Sequence, residues 1–369
     1  MNKIDSPLEI NLFSKFLISM TIILSLYSGY LDTSMPAFIV LAFLVFLNLH
    51  HIKINLAQLF IIFIFLIYIS VIIINSLNPI STLSNIKWFY GIMFFLLIFN
   101  IKHIKSYLIN FLSSERTFIY FLLLIITETI AINFLFQPIY LYGEEFSGSV
   151  LGVYNRPLGP TGNSPMTATL TIAWYYSLNR EKLLNKRYIL LLYSLTILLA
   201  MSGTGFILYF IGLIVDQRNR FVKLLSIQNL FIAVTLVTIF LIGFLNSVTQ
   251  KMSINYYTNV LTEKFFFFNS LTLGKDGSPV FSNDTFTNLF GFTNISEVPL
   301  NGGDFAWLDL LHAHGILGFL IFFLILWTFK KDKIEFRLPI VILLLGAFHY
   351  AALFNAGGQL LLSRFLEKK

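Results

Sequence analysis

The chain has 369 residues, of which 57% are hydrophobic and only 12% are charged, and it contains 41 Phe. Its mean hydropathy is +0.79 and its formal net charge is +7. A soluble domain carries about 25% charged residues, so this composition excludes a water-soluble globule, a disordered chain and a coiled coil. It predicts an all-α polytopic integral membrane protein. Cysteine is absent, which excludes disulfides, zinc–thiolate sites and a thiol nucleophile.

Apolar stretches separated by basic segments predict a single transmembrane domain over residues 1–369, with about 11–12 helices. The predicted spans are 16–31, 36–49, 56–75, 88–100, 117–136, 165–178, 188–201, 205–215, 226–246, 305–328 and 338–354. No small-residue cleavage site follows the first stretch, so we expect it to be retained. The tail after Asn355 is too short for an independent span, and a half-helix there would complete a twelfth crossing.

Basic residues fix the predicted orientation, because cytoplasmic segments are enriched in Lys and Arg. If the spans alternate, seventeen of the 25 basic residues fall on one side and five on the other. The N-terminus and the basic segments are therefore predicted to be cytoplasmic. Both ends of 188–215 are basic, so an even number of crossings lies between them. Two short helices that turn at Ser202–Gly205 satisfy this condition, since Gly is unfavourable inside a helix.

Two long connections are predicted on the outer side, at 137–164 and 247–304. Loops longer than about 12–15 residues are usually functional. The second begins with a predicted interfacial helix, in which apolar residues recur near helical spacing from Met252 to Phe267.

Ionisable residues inside a bilayer are costly and usually face a cavity or a partner. Their predicted depth is roughly 7–14 Å below the outer ends of three spans, at 1.5 Å per residue, and they are Glu128, Asp309, His312, His314 and His349. A wet cavity that opens outward would accommodate all of them. The alternatives are also open: each His can be a helix–helix hydrogen-bond partner, and Asp309 and His312 can pair with each other.

Two residues in the outer loops suggest chemistry. Arg156 lies in the rigid segment YNRPLGPTGNSP, just before a span, and its planar donor fork suits phosphate or carboxylate. Asp304 lies at the end of the second loop, where a carboxylate can act as a general base. The alternatives are a surface Arg that holds its loop and an Asp that caps the next helix.

Several motifs are missing from the sequence. It has no phosphate-binding Gly-rich loop with Lys, no HExxH, no GxSxG and no Asp-x-Asp. We therefore expect no metal and no cofactor.

Four stretches resemble the bacterial O-antigen and capsule polymerases of the Wzy type and the related O-antigen ligases. They are NRPLG followed by GNSP (155–165), MSGTG (201–205), DFAWLDLLHAHGILG (304–318) and GAFH (346–349). The family's Arg in the short-helix turn is replaced here by Gly203. Ligases carry His-Asn where this chain has Asp304, which favours the polymerase.

The resemblance implies a GT-C-like membrane glycosyltransferase in the bacterial inner membrane, with its active site facing outward. It would join repeat units carried on undecaprenyl pyrophosphate, with a chain-length regulator and a flippase as further partners and no nucleic acid. Arg156 would stabilise the departing pyrophosphate, and Asp304 would be the base, with Glu128 or His312 as the second choice. The other residues assigned to substrate binding are Asn155, Asn163, Lys251, Lys264, Tyr256, Tyr257, Trp307, His314 and His349.

Three other functions remain open. An O-antigen ligase would transfer the finished polysaccharide to lipid A core. A flippase or transporter commonly shows repeated halves and midplane charges, neither of which the sequence contains. A non-catalytic scaffold would tolerate substitution at all the polar sites.

Overall fold

Helices dominate the computed structural model of this chain. The residues that it describes are 12–31, 34–76, 79–136, 149–150, 154–178, 187–216, 285–291, 306–329, 337–348 and 350–366.

The helices of the first half of the chain are α1 (Leu12–Leu26), α2 (Ser28–Leu31), α3 (Ser34–Leu47), α4 (Leu56–Ile74), α5 (Pro79–Tyr90), α6 (Ile92–Phe99), α7 (Lys102–Leu112) and α8 (Glu115–Ile130). A π-helical turn, Ala131–Leu135, continues α8. Two short antiparallel strands follow, β1 (Ser149–Val150) and β2 (Tyr154–Asn155). The later helices are α9 (Ser164–Ser177), α10 (Arg187–Ala200), α11 (Gly203–Asp216), α12 (Thr285–Phe290), α13 (Ala306–Phe329), α14 (Arg337–Gly346) and α15 (Ala356–Leu366).

Three described segments are long and apolar enough to cross a membrane, namely Leu56–Ile74, Glu115–Leu135 and Asp309–Phe329. A fourth follows if Ile86–Phe99 and Lys102–Leu112, bent by 112°, count as one broken span. The exposed face of α4 is formed by large apolar side chains such as Phe60 and Phe63, which are 62% and 59% exposed. An exposed apolar surface of this kind suits contact with lipid, so an all-α membrane protein is supported.

Two helices occupy the centre of the described fold. Every residue of α15 is buried, and in α9 only Tyr175 is partly exposed. A helix that is buried on all sides must be surrounded by others: α9 packs against α10, α11 and α14, and α15 packs against α1, α3 and α6. Small residues and threonines in α9 allow this close approach.

Arg364 places a charged group inside this core. Its guanidinium donates to the carbonyl oxygen of Leu112 at 3.0 Å and to the hydroxyl of Ser113 at 2.7 Å. These two residues end α7 and lead into α8. A cation at a helix C-terminus is favourable, because the last carbonyl groups lack partners within the helix. Arg364 therefore ties the last helix of the chain to the turn between α7 and α8.

The structure differs from the predicted connection at 101–116, because most of that segment is the helix α7. Ile104, Leu108 and Leu112 recur every four residues and are buried, while Lys102 is exposed. This amphipathic pattern inside a basic segment is typical of a helix that lies along a membrane surface.

The predicted span 338–354 is not a continuous helix. Helix α14 ends at Gly346, which packs so closely on α9 that a Cβ there would meet the Thr169 side chain. The chain then turns through a short 3-10 helix, Ala351–Leu353, before Asn355 starts α15 by accepting the amide of Gly357 at 3.0 Å. A helix is therefore present in the predicted tail, and the break precedes it.

Helix α13 is kinked at Gly315, where φ is 62° and ψ is −171°. The end of α12 fits into this kink: Gly291 has φ 88°, and a Cβ on either glycine would overlap the other segment's backbone. The predicted span 305–328 is thus a bent helix. The predicted span 226–246 and the interfacial helix at 252–267 lie outside the described residues, as does most of the loop 247–304.

We expect Arg364→Met to lower the free energy of unfolding by ~1.5–3 kcal/mol, because it removes hydrogen bonds from a charged donor to buried groups. Arg364→Lys keeps the charge but loses the planar fork, and its effect should be intermediate. Arg116→Met, at an exposed arginine of α8, is the matched control. Thermal unfolding of the purified protein in detergent measures all three, and equal midpoints would contradict the assignment.

Candidate functional site

The loop before α9 carries Arg156, and its backbone is held by side chains from α9. The hydroxyl of Ser164 lies 2.7 Å from the carbonyl oxygen of Pro157, and the hydroxyl of Thr167 donates to that of Leu158 at 2.8 Å. Buried carbonyl groups without partners are costly, so these bonds stabilise one loop conformation. Both hydroxyls belong to the first turn of a helix that is itself buried.

The same loop is bound from two further directions. The amide of Gly159 donates to the Oε1 of Glu128 on α8 at 3.0 Å, and the amide of Gly29 donates to the carbonyl oxygen of Pro160 at 2.8 Å. Gly159 and Gly162 have φ values of 72° and 74°, a conformation that glycine adopts without strain. The two glycines therefore let the loop turn tightly between α8, α9 and α2.

Asn155, in β2, is paired with Asn133 in the π-helical turn. The side-chain oxygen of Asn133 accepts the amide of Asn155 at 2.9 Å, and its nitrogen donates to the carbonyl of Asn155 at 2.8 Å. The neighbouring Tyr154 donates to the carbonyl oxygen of Leu199 at 2.6 Å. Burial raises the pKa of Tyr154 to about 12, opposed by its hydrogen bond with Thr129 and assisted by the charge of Glu128. Tyr154 therefore stays protonated near neutral pH.

Opposite Arg156 lies the turn between α10 and α11. Met201 has a φ of 44°, and the hydroxyl of Ser202 accepts the amide of Gly205 at 3.1 Å. This side-chain bond caps the start of α11. The predicted break between two short helices is present, but it lies at Met201–Ser202, and Gly203–Gly205 are the first residues of α11.

Arg156 and this turn share a cavity of about 620 Å³. Its walls come from the loop, the first turns of α9 and α11, and the end of α14, and they consist of Arg156, Pro165, Ser202, Gly203, Thr204, Ile207, Leu208, Ile211, Leu345, Phe348 and Tyr350.

One end of the cavity is suited to an anion. Two helix N-termini border it, because Pro165 lies in the first turn of α9 and Gly203 begins α11. A helix N-terminus carries about half a positive charge and presents amide groups to anions. The Nε of Arg156 is buried and has no hydrogen-bond partner among the described residues. The cavity is therefore bordered by a guanidinium and by the starts of two helices, whose capping side chains, Asn163 and Ser202, accept the amides of Met166 and Gly205.

Most of the other cavity-lining side chains are apolar. Ile207, Leu208 and Ile211 line the cavity from α11, and Leu345 and Phe348 line it from the end of α14 and just beyond it. Ile207 is 63% exposed and Phe348 is 59% exposed, so the apolar walls continue onto the outer surface of the bundle. The cavity can accept a molecule with a compact anionic head and an apolar tail.

Four of the predicted site residues in the loop and α8 make specific contacts. Arg156 lines the cavity. Asn155 is bonded to the π-helical turn, and its side-chain nitrogen donates to Ile132 O at 3.3 Å. Asn163 caps α9 by accepting the amide of Met166 at 3.3 Å. Glu128 accepts the amide of Gly159 and is not among the cavity-lining residues.

The predicted residues of α13 are packed between helices. His312 and His314 are buried at 2% and 0% exposure, and Nδ1 of His314 lies 3.2 Å from the hydroxyl of Tyr68 on α4. Trp307 donates to the carbonyl oxygen of Leu344 at 3.1 Å, and its ring stacks on Phe323 at 5.5 Å. None of the three lines the cavity, although Trp307 lies directly behind its wall.

The remaining predicted residues lie outside the part of the chain that the structure describes. They are Asp304, Lys251, Lys264, Tyr256, Tyr257 and His349.

The sequence analysis did not select Thr204 or Tyr350 as site residues, and it treated Ser202 only as part of a turn. The signal for Ser202 and Thr204 was available, because a polar turn between two short apolar helices must find polar surroundings. Tyr350 follows the break after α14. This break was not predicted, because residues 338–354 form a continuous apolar run in the sequence.

Within the described ranges, no group of three or more His, Asp or Glu side chains is arranged to hold a metal ion. No protein-family model, no curated protein and no solved structure matches this chain.

Two glycines of the cavity turn should respond differently to alanine. A Cβ on Gly203 would meet nothing within 4 Å, whereas one on Gly205 would lie 2.7 Å from the Cβ of Ala168. We expect Gly205→Ala to cost ~1–3 kcal/mol of stability through overpacking and Gly203→Ala to change stability by less than ~0.5 kcal/mol or to increase it. Thermal unfolding of the two variants tests this, and the reverse order would contradict the described turn.

Proposed function

We propose that this chain is an O-antigen or capsular polysaccharide polymerase, a membrane glycosyltransferase that joins undecaprenyl-pyrophosphate-linked repeat units. The observation that carries the proposal is the cavity that Arg156 shares with the starts of two helices and with apolar side chains, of which Ile207 and Phe348 are also exposed on the outer surface of the bundle. A polyprenyl diphosphate has this combination of a compact anion and a long apolar tail. The resemblance of residues 155–165 and 201–205 to such polymerases agrees with it.

In the proposed reaction, a hydroxyl of the acceptor repeat unit attacks the anomeric carbon of the donor chain. The new carbon–oxygen bond forms as the bond from that carbon to the diphosphate oxygen breaks, and both electrons of the broken bond leave with the polyprenyl diphosphate. Arg156, assisted by the positive ends of the helix dipoles of α9 and α11, stabilises this developing charge, which it can do best when it is fixed beforehand. The acceptor proton passes to a base, for which Asp304 is the proposed residue.

The proposal includes the finer topology: about 11–12 spans in a GT-C-like arrangement, a cytoplasmic N-terminus in the bacterial inner membrane, and 137–164 and 247–304 as outer loops. With this orientation the loop of Arg156 faces the outer side, where lipid-linked repeat units are polymerised. The five basic residues predicted there include Arg156 itself.

We expect Arg156→Ala to lower the rate of polymerisation by about 100-fold or more, the usual cost of removing one donor that stabilises transition-state charge. Arg156→Lys should retain part of the activity, because it keeps the charge without the fork. The exposed Arg116→Ala is the control. The measurement is the chain-length ladder of surface polysaccharide in a host that lacks its own copy, with expression of each variant verified by immunoblot.

The pattern of the remaining product separates the competing functions. Loss of the ladder with one repeat unit retained indicates a polymerase, whereas complete loss of capped lipid A core indicates a ligase. Accumulation of lipid-linked units on the inner side indicates a flippase. Normal ladders in Arg156→Ala at normal expression would refute the proposal.

The apolar wall should contribute to binding of the lipid tail. We expect Ile207→Ser to weaken binding of undecaprenyl diphosphate by about 5–30-fold, since burial of such a side chain is worth ~1.5–3 kcal/mol and part of it is retained. Binding of a short, water-soluble prenyl diphosphate should change less. Leu198→Ser, at a residue of α10 that is 54% exposed and does not line the cavity, is the control. If the two substitutions weakened binding equally, the lipid tail would not contact this wall, and the assignment would be wrong.

A further inference from the structure

The carboxylate of Glu128 contacts the loop of Arg156 and is not a wall of the cavity. Its Oε1 accepts the amide of Gly159 at 3.0 Å, three residues after Arg156. We infer that Glu128 is a positioning residue, which fixes Arg156 through the Leu158–Gly159 peptide group, and that it does not act as the general base. This inference rests on the proposed role of Arg156 in binding the diphosphate.

The Leu158–Gly159 peptide group is held at both of its polar atoms. Its carbonyl oxygen accepts the hydroxyl of Thr167, and its amide donates to Glu128. The orientation of a planar peptide is fixed when both groups are bonded. Gly159 also packs against Thr167 so closely that a Cβ would overlap that side chain, so the peptide cannot turn over without moving α9.

Little freedom remains between this peptide and Arg156. The ring of Pro157 fixes its own φ. The hydroxyl of Ser164 lies 2.7 Å from the carbonyl oxygen of Pro157 and 2.8 Å from that of Ala200, and its one hydrogen is shared between them. Residues 156–159 therefore form one short segment whose backbone is restrained from α9 and, at its far end, by Glu128.

The continuation of α8 holds the other side of Arg156. Asn133 bonds both the amide and the carbonyl of Asn155. The π-helical turn begins at Ala131, between Glu128 and Asn133, and its wider winding lets residues five apart contact the same loop. Helix α8 and its π-helical continuation thus bind the backbone at residues 155 and 159, immediately before and shortly after Arg156.

The two possible roles of Glu128 predict opposite orders for its conservative variants. Glu128→Gln keeps an oxygen at the same distance but cannot take a proton as a carboxylate does. Glu128→Asp keeps the carboxylate but withdraws it by one methylene, which is more than the hydrogen bond to Gly159 tolerates. If Glu128 is a positioning residue, Glu128→Gln should therefore be more active than Glu128→Asp. If Glu128 is the general base, the order should be the reverse.

The experiment measures three properties of Glu128→Gln, Glu128→Asp and Glu128→Ala in the full-length protein. They are amide hydrogen exchange across residues 154–162, binding of undecaprenyl diphosphate, and the polysaccharide ladder as a function of pH. Thr127→Ala, at the neighbouring exposed residue, is the control.

We expect Glu128→Gln to keep at least a third of the activity, with an unshifted pH profile and a Gly159 amide that stays protected from exchange. In Glu128→Asp and Glu128→Ala, amide hydrogen exchange at 154–162 should rise at least tenfold. Their binding of undecaprenyl diphosphate should fall about tenfold. The double variant Arg156→Ala/Glu128→Ala should bind no more weakly than Arg156→Ala alone, because the two residues act through one contact.

Greater activity in Asp than in Gln, or unchanged exchange in both Asp and Ala, would overturn the inference. If Ala does not fold, the Gln and Asp pair still decides it. Failure of the proposed function has a different signature: Arg156→Ala would bind undecaprenyl diphosphate normally, while the exchange of the Gly159 amide would still report whether Glu128 holds the loop.

Discussion

The candidate site depends on the hydrogen bonding of a single loop backbone, residues 155–164. Its polar groups lie among apolar helices, where an unpaired amide or carbonyl is costly. Side chains on α8 and α9, together with the backbone of Gly29, bind them in turn. These hydrogen bonds therefore hold the loop in one conformation, although most of it has no regular secondary structure. The backbone of Arg156 is held in place with it. A fixed cation costs no reorganisation when charge develops beside it.

Much of the helical organisation was predictable, because it follows from local patterns. A break between two short helices was predicted at Ser202–Gly205 from glycines and from the basic residues on both sides. The structure has this break between Ala200 and Gly203, so the two glycines lie in the first turn of α11. Helix α7 and the break after Gly346 were not predicted. The basic residues of α7 suggested a connection between spans, so its apolar residues at helical spacing were not recognised. The break after Gly346 depends on contact with Thr169, and a single sequence does not show which residues of different helices are in contact.

The site was only partly predictable, for a geometric reason. Position along the chain gives the depth of a residue in a span, but the direction of its side chain around the helix depends on which neighbours pack there. Arg156 was selected from its loop and it lines the cavity. His312 and His314 were predicted at a similar depth in their span as Glu128 in its own. Both are buried, and His314 lies against Tyr68 of α4. Position along a span therefore does not decide which polar residues line one cavity.

The breaks in helices give an independent argument about the contents of the cavity. The starts of α9 and α11 and the end of α14 all border this cavity, and backbone groups that lack partners at helix ends need polar surroundings. A small soluble anion would satisfy Arg156 and the helix N-termini but would leave Ile207 and Phe348 against water. An uncharged lipid would cover those two side chains but would offer no anion to the buried Nε of Arg156, which has no hydrogen-bond partner among the described residues. An amphiphile with a compact anionic head would satisfy both requirements, so the walls of the cavity agree with the proposed polyprenyl diphosphate.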